Sequence, residues 1–137
     1  MTLSADEKKA LSKYRLDKAL RLLGDAELLL KEQRWESSVN RSYYAALSAA
    51  KAALILLGID PKTHEGVKTM VSKELVLRDL LSKEHGKWFR ELLFEREDVD
   101  YADYVNIDAA DAEQAHLHAG KFIEKIQEVV GVLARQV

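Results

Sequence analysis

The stretch Arg34–Leu57, RWESSVNRSYYAALSAAKAALILL, constrains the fold more than any other part of the chain. At ~100° per residue, Val39, Ala46, Leu47, Ala50, Leu54 and Leu57 fall within about 60° of Tyr43 and make a full apolar stripe. Asn40, Arg41, Tyr44 and Ser48 gather on a second face, with Lys51 and Ile55 beside them. Ala45, Ala46, Ala49, Ala50, Ala52 and Ala53 leave the remaining surface smooth, so neighbouring backbones can approach closely. A helix apolar around most of its circumference belongs at the centre of a fold. Its polar strip is either a site or a solvated edge.

The flanking segments extend this pattern into an all-α chain. One proline and six glycines in 137 residues favour long helices over a turn-rich fold. Ser4 and Glu7 read as a capping box. The helix they open carries Leu11, Tyr14, Ala19, Leu22, Leu23, Ala26, Leu29 and Leu30 at helical spacing and should reach about Glu32. The short connection at Gln33–Arg34 implies an antiparallel pair with the central helix. Gly58 and Pro61 end the central helix. Thr63 caps a shorter helix to about Leu75, with a brief turn at Val76–Leu81. A fourth helix runs from about Ser82 to Arg96, with His85, Trp88, Phe89, Leu92 and Leu93 on one side.

The polar segment REDVDYADYVNID, Arg96–Asp108, reads as a loop of about ten residues. Asp108 then caps a final helix with Ala112, Ala115, Ala119, Phe122, Ile123, Ile126, Val129, Val130 and Leu133 inward. No segment sustains strand-like alternation. The expectation is one domain over residues 1–137: an up-and-down bundle of about five helices.

Composition narrows the function. Without cysteine there is no disulfide framework, thiolate nucleophile or cysteine-ligated metal. No apolar run reaches the ~18 residues of a membrane span, and MTLSADEKK lacks the apolar core of a signal peptide. A cytoplasmic protein with no membrane partner is expected. A net charge of −2 argues against a globally basic nucleic-acid binder but leaves room for a local basic groove, including one built across a dimer. His116 and His118, two apart on a helix, point away from each other, so no metal site is expected. Neither a phosphate-cradling glycine loop nor a nucleophile elbow is present. No cofactor is expected.

Three pieces in order carry a resemblance. RSYYAALSAAKAALILLGI is followed by HEG at His64–Gly66 and by REDVDYADY at Arg96–Tyr104. Over about Ala5–Val130 this set resembles the compact prokaryotic branch of the HEPN domain family (higher eukaryotes and prokaryotes nucleotide-binding). The resemblance implies an up-and-down bundle with a four-helix core that usually dimerises. It also implies kinship with ribonucleases or their relics, often paired with a small nucleotidyltransferase in toxin–antitoxin modules.

Catalytic members carry an arginine followed after four to six residues by histidine, the arginine to bind phosphate and the histidine to move protons. Here Arg96 is followed after four residues by Tyr101, and Arg41 after six by Ser48. A tyrosine of ordinary pKa ~10 carries protons poorly at neutral pH. Arg78 and His85 match the pattern literally but begin in the ambiguous turn, outside the Asp-Tyr segment.

The expected nucleotide- or RNA-binding residues are Asn40, Arg41, Tyr44, Ser48, His64 and Asp100. Arg96 and Tyr101 are the candidate catalytic pair. The favoured function is a homodimeric, non-catalytic or weakly active module binding a nucleotide, an RNA or a nucleotidyltransferase. The alternative is a metal-independent ribonuclease using Arg96 with Tyr101 or a remote histidine. Arg41 and Arg96 also have a structural reading, as ion-pair partners of Glu36, Glu97, Asp98 or Asp100. The polar strip of the central helix is expected to face the Arg96–Tyr101 segment or a dimer mate.

Overall fold

The structure, a computed structural model, describes residues 2–101 and 106–137, the side chains of 95–101 excepted. Among the described residues there are five α-helices: α1 (Ala5–Lys31), α2 (Trp35–Leu56), α3 (His64–Met70), α4 (Lys83–Tyr101) and α5 (Ala109–Gln136). A π-helical segment, Val71–Val76, continues α3, and no strand is present among the described residues. The fold is all-α, as the periodicity requires.

Local chemistry sets the helix ends. The Glu7 amide donates to Ser4 Oγ at 3.1 Å and the Ser4 amide to Glu7 Oε1 at 2.9 Å, closing the expected capping box. Asp108 and Asp111 make the equivalent exchange at α5, at 2.9 and 3.2 Å. After α2, Gly58 adopts φ 77° and its amide donates to the Ile55 carbonyl, while the Ile59 amide reaches back to Leu54. Those two bonds satisfy carbonyls that the helix end leaves open, and the positive φ suits glycine. Thr63 Oγ1 accepts from the Gly66 amide at 2.9 Å and starts α3.

Helices α1 and α2 form an antiparallel hairpin whose seam is fastened by serines. Ser12 Oγ donates to the Ala52 carbonyl at 2.7 Å, Ser48 Oγ to Arg15 at 2.7 Å, and Ser38 Oγ to Ala26 at 2.8 Å. As residue numbers rise along α1 they fall along α2, which fixes the opposed directions. The small residues at this seam bring the backbones close enough for a hydroxyl to reach a helical carbonyl. The reversal takes three residues, with Gln33 in the left-handed region at φ 60°.

Helix α2 is central, and Val39, Tyr43, Ala46, Ala50 and Leu54 on its apolar stripe have no exposed surface. Ala45, Ala49, Ala52 and Ala53 on its other sides are equally inaccessible. Phe89 of α4 lies between Tyr43 of α2 and Phe122 of α5, with ring centroids 6.3 and 5.1 Å away. These three rings tie the helices together through the core.

Two boundaries differ from expectation. The α-helical part of the third helix ends at Met70, and winding then widens to the π form through Val76. Val67, Val71 and Leu75 are all buried on this stretch. Helix α4 runs on to Tyr101, so the first part of the expected loop is helical. That part lacks an apolar stripe, but it also lacks glycine and proline. No residue there breaks a helix already under way.

Candidate nucleotide- and RNA-binding surface

The tyrosine pair of α2 meets the start of α3. Tyr43 is wholly buried, whereas Tyr44 and His64 are half-buried. Their rings form an edge-on triad, with centroids 5.3 Å apart for Tyr43 and Tyr44 and 5.7 Å from His64 to each tyrosine. Thr63 positions His64 by capping the helix that His64 opens. Asn40, half-buried, sits one turn before Tyr44 on α2. Arg41 is exposed and makes no ion pair among the described residues. The chain therefore brings Tyr44 and His64 into contact from positions twenty residues apart. Arg96, Asp100 and Tyr101 fall in the last turns of α4, and their side chains lie outside the described residues, as does Tyr104.

Ser48 departs from the expected arrangement. Its hydroxyl is committed to the Arg15 carbonyl, and the residue is only 8% exposed. This end of the polar strip faces α1 rather than the Arg96–Tyr101 segment, because the alanine-rich seam draws α1 over it. What Ser48 borders is an open groove of about 250 Å³ between the two helices. Tyr14, Arg15 and Lys18 of α1 line one wall, and Tyr44, Ser48 and Lys51 of α2 the other.

The groove is cationic. Arg15 Nη2 lies 3.1 Å from Asp60 Oδ1, and Lys62 Nζ lies 3.3 Å from the other Asp60 oxygen. Burial would raise the Asp60 carboxyl, but Arg15 and Lys62 outweigh it and hold it below its ordinary value. Lys51 titrates below its ordinary value through burial and then through the nearby charges of Arg15, Lys18 and Lys62, with Asp60 opposing. Sequence reasoning missed the α1 wall: Arg15 and Lys18 read there as the solvent side of an amphipathic helix, and Tyr14, expected on its inward stripe, is instead 60% exposed. Only the Tyr14–Lys18 spacing of one turn hints that they share a face.

A second cluster joins α4 and α5. Trp88 stacks on His118 at 4.8 Å, His85 meets Trp88 edge-on at 5.2 Å, and Lys121 Nζ lies 5.7 Å from the Trp88 ring centroid. His85 Nδ1 is 2.6 Å from Ser82 Oγ, while Arg78 pairs with Glu74 at 2.5 Å. The literal Arg78–His85 match thus resolves into two separate local interactions. Among the described residues no group of three or more His, Asp or Glu side chains is placed to hold a metal ion, and no helix is long and apolar enough to cross a membrane.

These histidines give the fold a pH dependence. Burial, with Lys125 for His85 and Lys121 for His118, pushes both imidazoles below their ordinary value, against Glu84 and Glu128 for His85 and Glu91 and Glu84 for His118. The unfolded chain then binds protons more readily than the folded one. This contribution is fully present above the unfolded value of ~6.5 and declines as pH falls below it. The thermal midpoint is expected to drop between pH 7.5 and 5.5. A His85→Gln/His118→Gln protein should show a shallower drop, and an unchanged slope would exclude these groups.

Comparison with known proteins places the chain. The HEPN domain model matches residues 12–129. A UPF0332 protein of Thermotoga maritima is 31% identical over 130 residues, spanning 95% of this chain and 98% of its own length. A protein of Methanocaldococcus jannaschii named "Putative toxin MJ0142" is 31% identical over 114 residues, 82% of this chain and 77% of that one. The crystal structure of TT1696 from Thermus thermophilus is similar in fold, with a TM-score of 0.75 at 17% identity, covering 86% of this chain and 97% of the other. The family match begins in α1 and ends in the last turns of α5, with a relative aligned over nearly the whole length: the chain belongs to the HEPN domain family.

Proposed function

We propose that this chain is a non-catalytic or weakly active HEPN module that binds a nucleotide or an RNA as a cytoplasmic homodimer. Its partner on this reading is a small nucleotidyltransferase in a toxin–antitoxin pair. The observation that carries the reading is the Tyr43–Tyr44–His64 triad, which is half-open to solvent at the junction of α2 and α3. Ring edges and faces of this kind accept a stacked base with little dependence on sequence. Arg41 and Asn40 lie within a turn of Tyr44 and supply charge and amide groups for a phosphate or a base edge. The toxin names of two archaeal relatives support the toxin–antitoxin setting.

Against catalysis stands the Tyr101 that follows Arg96 where catalytic relatives carry histidine. The alternative is a metal-independent ribonuclease that would use Arg96 with Tyr101 or a remote histidine. The test is RNA cleavage by the purified protein beside an Arg96→Ala control. Cleavage lost on substitution would overturn the non-catalytic reading; no cleavage in either protein, with RNA or nucleotide binding retained, is the expected result. Light scattering at micromolar concentration should give twice the chain mass, and a mass of one chain would remove the dimer.

A further inference from the structure

The α1–α2 groove carries an excess of positive charge that packing does not explain. Arg15, Lys18 and Lys51 line it without an acidic side chain among the lining residues. Of the nearby carboxylates, Asp17 pairs with Lys13 at 3.0 Å, and Asp60 is shared between Arg15 of the groove and Lys62, which leaves Lys18 and Lys51 uncompensated. Neither Lys18 nor Lys51 has an ion-pair partner among the described residues, and Lys51 feels three neighbouring cations against one anion. An anion entering the groove would meet two lysines that have no ion-pair partner among the described residues. Beside these cations stands Tyr14, 60% exposed and therefore presenting a ring to solvent. Cations flanked by an open aromatic ring match a phosphate attached to an unpaired base.

We propose that this groove is a phosphate-binding site for a phosphodiester or nucleotide ligand, with phosphates on Lys18 and Lys51 and a base against Tyr14. Arg15 anchors the wall: its Nη1 reaches the Lys51 carbonyl at 3.5 Å and its Nη2 holds Asp60, so the charge is fixed rather than swinging freely. Asp60 limits the site by neutralising part of that charge. Tyr44 borders both this groove and the His64 triad, so a strand lying in the groove would continue onto the triad. The inference deepens the reading of the chain as a nucleotide or RNA binder and rests on it.

The experiment measures binding of a labelled single-stranded RNA 12-mer to the full chain across a salt series, with AMP as competitor. A Lys18→Gln/Lys51→Gln protein should bind roughly tenfold more weakly, with a log–log salt slope shallower by about 1.4, the share of two phosphate contacts at ~0.7 each. Asp60→Asn should act in the opposite direction and tighten binding, which a merely structural role would not produce. Tyr14→Ala should weaken the RNA but leave inorganic tripolyphosphate unaffected. Displacement by AMP at micromolar concentration assigns a free nucleotide as the ligand, and its absence assigns a strand. Circular dichroism confirms that each variant is folded. RNA binding by wild type that the lysine pair and Asp60→Asn leave unchanged overturns the groove while sparing the wider reading. No binding of RNA, AMP or tripolyphosphate by wild type overturns both, and RNA cleavage dependent on Arg96 overturns only the non-catalytic reading.

Discussion

Replacing Tyr43 with alanine is expected to remove about 3–5 kcal/mol of stability, the range for deleting a large aromatic side chain from a packed core. The same change at Tyr44 should cost less and instead weaken RNA binding. Adjacent residues differ this way because one helical step of ~100° separates them. That step turns Tyr43 onto the apolar stripe, where it meets Phe89 and has no exposed surface. It leaves Tyr44 half-exposed beside His64 and the basic groove. Loss of one base-stacking ring is worth about 1–3 kcal/mol of binding. Urea unfolding and RNA titration of the two variants check this. Equal destabilisation by both, or RNA binding by Tyr44→Ala equal to wild type, would contradict the division of roles.

The second large effect concerns the seam. Ala49→Leu is expected to destabilise the fold by about 1–3 kcal/mol through overpacking. Ala49 has no exposed surface and lies on α2 between Ser48 and Ala52, both bonded to α1 across 2.7 Å contacts. A leucine there must push α1 away, and each serine bond lost adds about 0.5–1.5 kcal/mol. Ala10→Leu, on the exposed side of α1, should be near neutral. Denaturation midpoints of the two proteins give the comparison, and similar midpoints would mean that the seam is looser than its hydrogen bonds imply.

The helix starts at Ser4, Thr63 and Asp108 were legible in the sequence because a cap is decided within four residues. The central place of α2 was legible from its periodicity. The π-helical winding after Met70 was not, because no cap or turn residue in VSKELV marks it. Nor was the full length of α4, whose last turns carry no apolar signal.

For the site, the sequence named Tyr44 and His64, which the fold brings together. It did not name the neighbour that the Ser48 hydroxyl bonds, the Arg15 carbonyl of α1. Periodicity gives a direction around a helix axis, and only packing decides what lies in that direction. The α1 wall of the groove was hidden for the same reason: Arg15 meets Ser48 across 33 positions of sequence. No local pattern encodes that register.

The three-residue reversal at Gln33 also bears on the order in which the molecule can assemble. A hairpin closed by so short a connection loses little chain entropy on forming, whereas α5 must find α2 across more than fifty intervening residues. Both faces of the groove, α1 and α2, are thus joined by the connection that costs the least entropy to close. The proposed ligand surface is therefore set by one local hairpin and does not depend on the long-range docking of α5 for its register.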